Sequence, residues 1–258
     1  MKLKVGDKVT RKSYNHDTVF VIVSIENDVC ILNGVNIRLV ADSNVDDLEL
    51  LEDSKIVEEE NSFLERIKND DLERDDYFYL PGKILHIDGD KDYLNRCLKY
   101  YNSMNIWAMG ILESEDKIPS KIRELILEYN PNIVVITGHD AYYRKRGAVD
   151  NLQFYKNSKY FVDAIHEARK IESSHEKLII VAGGCQSNYE ELIKAGANFA
   201  SSPKRINIHA LDPAIIAAKL SLSDVTKDID LKGILINEKY KNTNNDIYNN
   251  WIFSNNKQ

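Results

Sequence analysis

Residues 178–192 read LIIVAGGCQSNYEEL. An apolar run halts at two glycines, one cysteine follows, and a polar stretch with helical spacing begins. Apolar, β-branched runs without polar alternation mark strands buried on both faces of a parallel sheet. Ligands of such sheets gather outside the carboxyl ends of the strands. Cys185 therefore stands where a thiol can be reactive, whereas a buried cysteine inside an element is an inert small hydrophobe.

The same strand-then-helix pattern runs through residues 77–236. Strands are expected in KILHIDGD (83–90), NIWAMGILE (105–113), NIVVITGHD (132–140) and KLIIVAGGC (177–185), with a short one in NFASSP (198–203). Helices are expected in 92–104, 119–130, 158–171, 188–197 and 211–222, the second with a proline at its start and an asparagine at its end. This alternation predicts an α/β fold, a doubly wound, mostly parallel sheet with helices on both faces. Residues 1–51 read differently. Short β-rich pieces separated by NH, ND and NG turn signals, with Val19, Val21, Val23 and Ile25 alternating, suggest a small SH3-like β-barrel. Such a module either docks a peptide, protein or RNA or serves as a structural cap. Residues 237–258 form an asparagine-rich tail, expected to pack poorly.

The chain has 258 residues and a net charge of −7. Residues 52–76 hold 11 acids and 4 bases, so the whole excess lies in an acidic linker and the remainder sums to about zero. No apolar run is long enough to cross a membrane, and the first residues lack a signal-peptide core. Membrane and nucleic-acid partners are not expected. Three cysteines without paired or metal-type spacing predict free thiols in a reducing, cytoplasmic compartment and no metal or other cofactor.

Three expected strand ends carry chemistry: Asp88 and Asp90, His139 and Asp140, and Cys185. A histidine ending one strand and a cysteine ending the next can face one crevice. There the thiol would be the nucleophile, His139 its base, and the backbone amides of Cys185 and Asp140 an oxyanion hole. His86 reads as a sheet-face histidine, His166 and His175 as solvated, and His209 as an outside candidate for a second base. Cys30 and Cys97 read as core. The basic run YYRKRG (142–147) reads as a solvated loop or a guide for an acidic segment.

The histidine lies 46 residues before the cysteine, and caspase-like peptidases use a spacing of roughly 50. IVVITGHD and LIIVAGGCQS resemble the two catalytic blocks of that clan, with Asp140 where the clan has glycine and Gly184 where caspases have alanine. The element order over 83–220 is similar as well. The whole chain more closely resembles the YabG family of sporulation-specific peptidases, through its β-rich N-terminal module, ITGHDAYY (136–143) and VAGGCQSNYEEL (181–192). Membership implies a cysteine endopeptidase of the mother cell that cuts spore coat and cortex-associated proteins next to basic residues. A basic side chain needs a carboxylate partner, and Asp88 is expected to supply it, with Asp90 second and Asp140 third. Self-cleavage is expected in the linker, at Arg66 or Arg74, or at 144–146. Two other readings stay open at this point: a phosphate- or nucleotide-binding α/β protein and a non-enzymatic coat-assembly scaffold.

Overall fold

A computed structural model describes residues 3–51, 81–143, 149–201, 207–223 and 251–253. The linker, the basic residues 144–147 and most of the tail lie outside the described residues. The chain divides into two compact units, Met1–Tyr79 and Leu80–Gln258.

The first unit is an antiparallel sheet of five strands: β1 (Lys8–Arg11), β2 (Val19–Glu26), β3 (Val29–Gly34), β4 (Val40–Asn44) and β5 (Leu48–Leu50). They pair in the order β4-β3-β2-β1-β5, a sheet with β4 and β5 outermost. Asn27 and Asp28 both take left-handed φ (48° and 65°), which suits the tight β2–β3 hairpin that the ND signal predicted. Val9, Phe20, Cys30 and Leu32 are fully buried and Ile22 nearly so. The buried face of β2 is thus Phe20 and Ile22, and the Val19–Val21–Val23 row faces outward, Val23 being 45% exposed. The register shifts between Ile22 and Ser24, so one uninterrupted alternation cannot hold along the strand.

The second unit is a six-stranded sheet flanked by helices. Its strands are β6 (Ile84–Asp88), β7 (Ala108–Leu112), β8 (Ile133–Thr137), β9 (Ile179–Gly183), β10 (Phe199–Ser201) and β11 (Trp251–Phe253). The order β11-β10-β9-β8-β6-β7 makes β6 to β10 parallel, with β11 antiparallel on β10. Part of the asparagine-rich tail therefore pairs with the sheet. Numbered from β6, the parallel strands run 2-1-3-4-5, a doubly wound order whose switch point lies between β6 and β8. An open sheet of this kind is not an eightfold phosphate-binding barrel.

The helices are α1 (Lys91–Ser103), α2 (Ile118–Tyr129), α3 (Ser158–Ile171), α4 (Tyr189–Ala195) and α5 (Asp212–Ser221). Pro119 in the first turn of α2 and left-handed Asn130 at its end delimit that helix as the sequence predicts. On one face, Leu85, Ile87, Val134, Ile136, Ile180 and Ala182 pack against α2, α3 and α4. On the other face α1 and α5 cover the sheet, and His86 is fully buried there, bonded through Nδ1 to the Tyr101 hydroxyl of α1 at 2.9 Å. Every residue of β6 and β8 is buried, which is why their sequences carry no alternation. Behind the α3–α4 corner, Arg169 donates to the carbonyls of Gly196 and Leu178 (2.8 Å each) and to Asn198 Oδ1 (2.7 Å). Burial lowers its pKa to about 10. His175, expected in solvent, is half-buried beside it, and desolvation followed by the Arg169 charge pushes its imidazole pKa down.

Candidate active site

Asp88 on β6 stands opposite Thr137 on β8, which stands opposite Gly183 on β9. This register brings three strand-end loops side by side at the switch point: 88–90, 138–140 and 183–187.

The first loop supplies two carboxylates in different settings. Asp88 is fully buried and accepts from Thr137 Oγ1 (2.8 Å) and the Asp90 amide (2.9 Å), with His86 Nε2 at 3.5 Å. Of the three acids expected to meet a substrate, Asp88, ranked first, is packed beneath the loop. Asp90 remains 26% exposed at its rim. It also caps α1, its Oδ1 accepting from the amides of Asp92 (2.8 Å) and Tyr93 (3.0 Å).

The second loop carries His139, nearly buried and held from several sides. Its ring stacks on Tyr93, with centroids 5.1 Å apart and planes at 27°, and its Nδ1 lies 3.9 Å from Asp90 Oδ2. Its amide donates to Glu115 Oε1 (3.0 Å), and its carbonyl accepts from Asn157 Nδ2 (2.6 Å). Glu115, in the loop after β7, lies across Gly89 and Gly138, where a Cβ would collide with its carboxyl group. Burial raises its pKa, opposed by its own amide and that of His139, while nearby Asp88 adds to the rise. Sequence reasoning missed Glu115, although it follows a parallel strand just as Asp88 and His139 do.

Asp140 ties the loops together. It is fully buried, its Oδ1 accepting from the amides of Ala141 and Asn157 (2.8 Å each) and its Oδ2 from Ser158 Oγ (2.5 Å) and Ser187 Oγ (2.8 Å). Burial lifts its pKa above the ordinary carboxylate value even though these four bonds pull it down. A side chain committed in this way is a brace between loops, which leaves only the backbone of Asp140 for a direct catalytic role.

The third loop is a tight turn. The Gly184 amide donates to Ser187 Oγ at 2.8 Å, Gly183 has φ +114°, and Gln186 is left-handed at 59°. Cys185 therefore sits within a turn, while α4 begins four residues later behind its Asn188 cap. A helix dipole acting directly on the thiol is not the arrangement found. Cys185 is fully buried, its Sγ accepting from the Ile208 amide (3.1 Å) and donating to the Ile208 carbonyl (3.6 Å). His209, the outside candidate for a base, follows that residue. Its Nδ1 accepts from the Leu211 amide at 3.2 Å, and its own amide donates to Asp212 Oδ2 at 3.0 Å. Cys30 and Cys97 are buried as expected, the former with a pKa raised by burial and then by Asp28.

The His139 and Cys185 loops meet through their backbones. A Cβ on Gly184 would overlap the Gly138 carbonyl oxygen and lie 3.2 Å from the Asp140 amide nitrogen. Neither obstacle is a flexible side-chain end, so the loops themselves would have to part. Gly184→Ala is expected to cost about 1–3 kcal/mol and to depress peptidase activity more than stability alone explains. Thermal unfolding and a peptide-cleavage assay check this; wild-type behaviour in both would refute the tight approach.

Comparison with known proteins places this arrangement in context. The family model described as YabG peptidase U57 matches residues 4–244. The sporulation-specific protease YabG of Bacillus subtilis (strain 168) is 41% identical over 266 aligned positions, covering 92% of this chain and 91% of that protein. No solved structure matches the chain. A match that takes in β1 to β10 and all three strand-end loops shows that the chain belongs to the YabG peptidase family, a family of proteases.

Proposed function

We propose that the protein is a sporulation-associated cysteine endopeptidase with Cys185 as nucleophile and His139 as base. The observation that carries the reading is the backbone contact between the loops that end β8 and β9, one bearing the only histidine at these strand ends and the other the only cysteine. In the reaction, Cys185 Sγ leaves the Ile208 backbone and passes its proton to His139. The sulfur attacks the scissile carbonyl carbon, and the amides of Cys185 and Asp140 hold the oxyanion, each donor worth a few kcal/mol in such sites. His139 then protonates the departing amine, and water, deprotonated by His139, hydrolyses the thioester.

Cleavage beside basic residues belongs to the same proposal; of the three acids expected to meet the basic side chain, Asp88 and Asp140 are fully buried and already hydrogen-bonded. Spore coat and cortex-associated proteins as substrates, action in the mother cell, and self-cleavage at the linker arginines or at 144–146 belong to the proposal too. The test is alkylation with iodoacetamide, read by peptide mass. Loss of activity is expected to track modification of Cys185, with Cys30 and Cys97 labelled more slowly. Full activity after complete modification of Cys185 would refute the proposal, and a scaffold or phosphate binder would show no such correlation.

A further inference from the structure

We infer that Asp90 is a positioning residue of the peptidase, which orients His139 and stabilises its protonated form; this rests on His139 being the base proposed above. The first turn of α1 builds the seat of the imidazole. Asp90 Oδ1 is fixed by the Asp92 and Tyr93 amides, which sets the plane of the carboxylate and presents Oδ2 to His139 Nδ1 at 3.9 Å. Three residues on, Tyr93 stacks on the ring. The loop beneath is rigid because the Asp90 amide is bonded to fully buried Asp88, itself held by Thr137. Glu115 and Asn157 fix the backbone of His139 from its two sides.

With its face set by Tyr93 and its Nδ1 edge by Asp90, the ring is left to exchange the thiol proton through Nε2. In that role Nδ1, the nitrogen nearer the carboxylate, keeps its proton. A distance of 3.9 Å is that of an ion pair rather than a hydrogen bond. Such contacts tighten once the imidazole takes the thiol proton and becomes cationic. Other charges around the ring come from other elements. Asp88 on β6 is held by Thr137 and the Asp90 amide, Glu115 bonds the His139 amide, and Asp140 turns its carboxylate to Ser158 and Ser187. Arg96 lies 5.6 Å from the Tyr93 ring, and the Lys156 charge acts on Glu115. Asp90 is paired with the Nδ1 of His139.

Asp90→Asn tests the assignment, because asparagine caps a helix as well as aspartate does and only the charge is lost. The expected result is a roughly tenfold fall in kcat with KM little changed. The step in the pH profile of Cys185 alkylation by iodoacetamide that reports loss of the imidazolium proton should also move to lower pH, because the cation loses its anionic partner. A raised KM for an arginine-containing peptide with an unchanged alkylation profile would overturn the inference and make Asp90 a substrate contact. Wild-type kinetics and profile in Asp90→Asn would overturn it as well. His139→Ala run in parallel separates the two layers: retained proteolysis there removes the dyad itself, whereas a dead His139→Ala beside an unaltered Asp90→Asn removes only the role of Asp90.

Discussion

Cys185→Ala is expected to abolish proteolysis, with a loss of at least about 10⁴-fold, and His139→Ala is expected to do the same. The two losses should not add, because a nucleophile without its base and a base without its nucleophile fail at the same step. The fold should survive both changes. Cys185→Ala removes one buried sulfur and its pairing with Ile208, a cost of about 1–2 kcal/mol. His139→Ala removes a stack on Tyr93 at the rim of the sheet, while the backbone bonds to Glu115 and Asn157 need no imidazole. Cys30→Ala and Cys97→Ala should keep activity: Cys30 lies in the other compact unit, and Cys97 Sγ donates to the Ala210 carbonyl at 3.5 Å between α1 and α5. Cleavage of a fluorogenic peptide, with thermal unfolding to confirm folding, measures all four. Full activity in Cys185→Ala would end the cysteine-peptidase reading.

The sheet of the second unit was legible because burial on both faces leaves a plain sequence mark. β8 and β9 appear as apolar runs and β6 as one interrupted by His86, and each expected strand end lies within a few residues of the structural one. The positions of Asp88, His139 and Cys185 followed from that mark alone. What surrounds them did not. Glu115 comes after β7, an edge strand whose half-buried residues give a weaker signal, and its importance lies in a bond to a residue 24 positions away. Ser158 and Ser187 read as ordinary residues near helix starts, and only the fold shows that both hydroxyls converge on one carboxylate. Asp88 illustrates the converse. The sequence shows an acid at a strand end, but not that Thr137 and the Asp90 amide already occupy it. On β2 the period of two holds from Val19 to Val23, but the buried side is that of Phe20 and Ile22, and the register shift after Ile22 ends the alternation that the valine row suggests.

Asp140→Ala is expected to be the most damaging single change outside the dyad. Asp140 is the terminal acceptor of two short relays: the Gly184 amide donates to Ser187 Oγ, which donates to Asp140, and the Asn188 amide donates to Ser158 Oγ, which does likewise. Through them the loop of His139, the start of α3 and the turn of Cys185 are pinned to one side chain. Alanine leaves the amides of Ala141 and Asn157 and two serine hydroxyls without this acceptor in a buried space, for a cost of about 3–5 kcal/mol and a melting temperature lower by roughly 10 °C or more. Activity should fall further than stability, because the turn of Cys185 loses its anchor to the histidine loop. Asp140→Asn is the milder companion, since its carbonyl oxygen can keep both amide bonds. Wild type also separates from Asp140→Asn by pH. Because burial raises the folded-state pKa of Asp140, its contribution is fully present below the unfolded carboxylate value and declines as pH rises through the folded one. The stability advantage of wild type over Asp140→Asn should therefore be larger in acid and shrink toward neutral pH. Chemical denaturation of the three proteins across that range provides the measurement. An advantage that grows with pH instead would mean that the four hydrogen bonds outweigh desolvation and that Asp140 folds as a favoured anion.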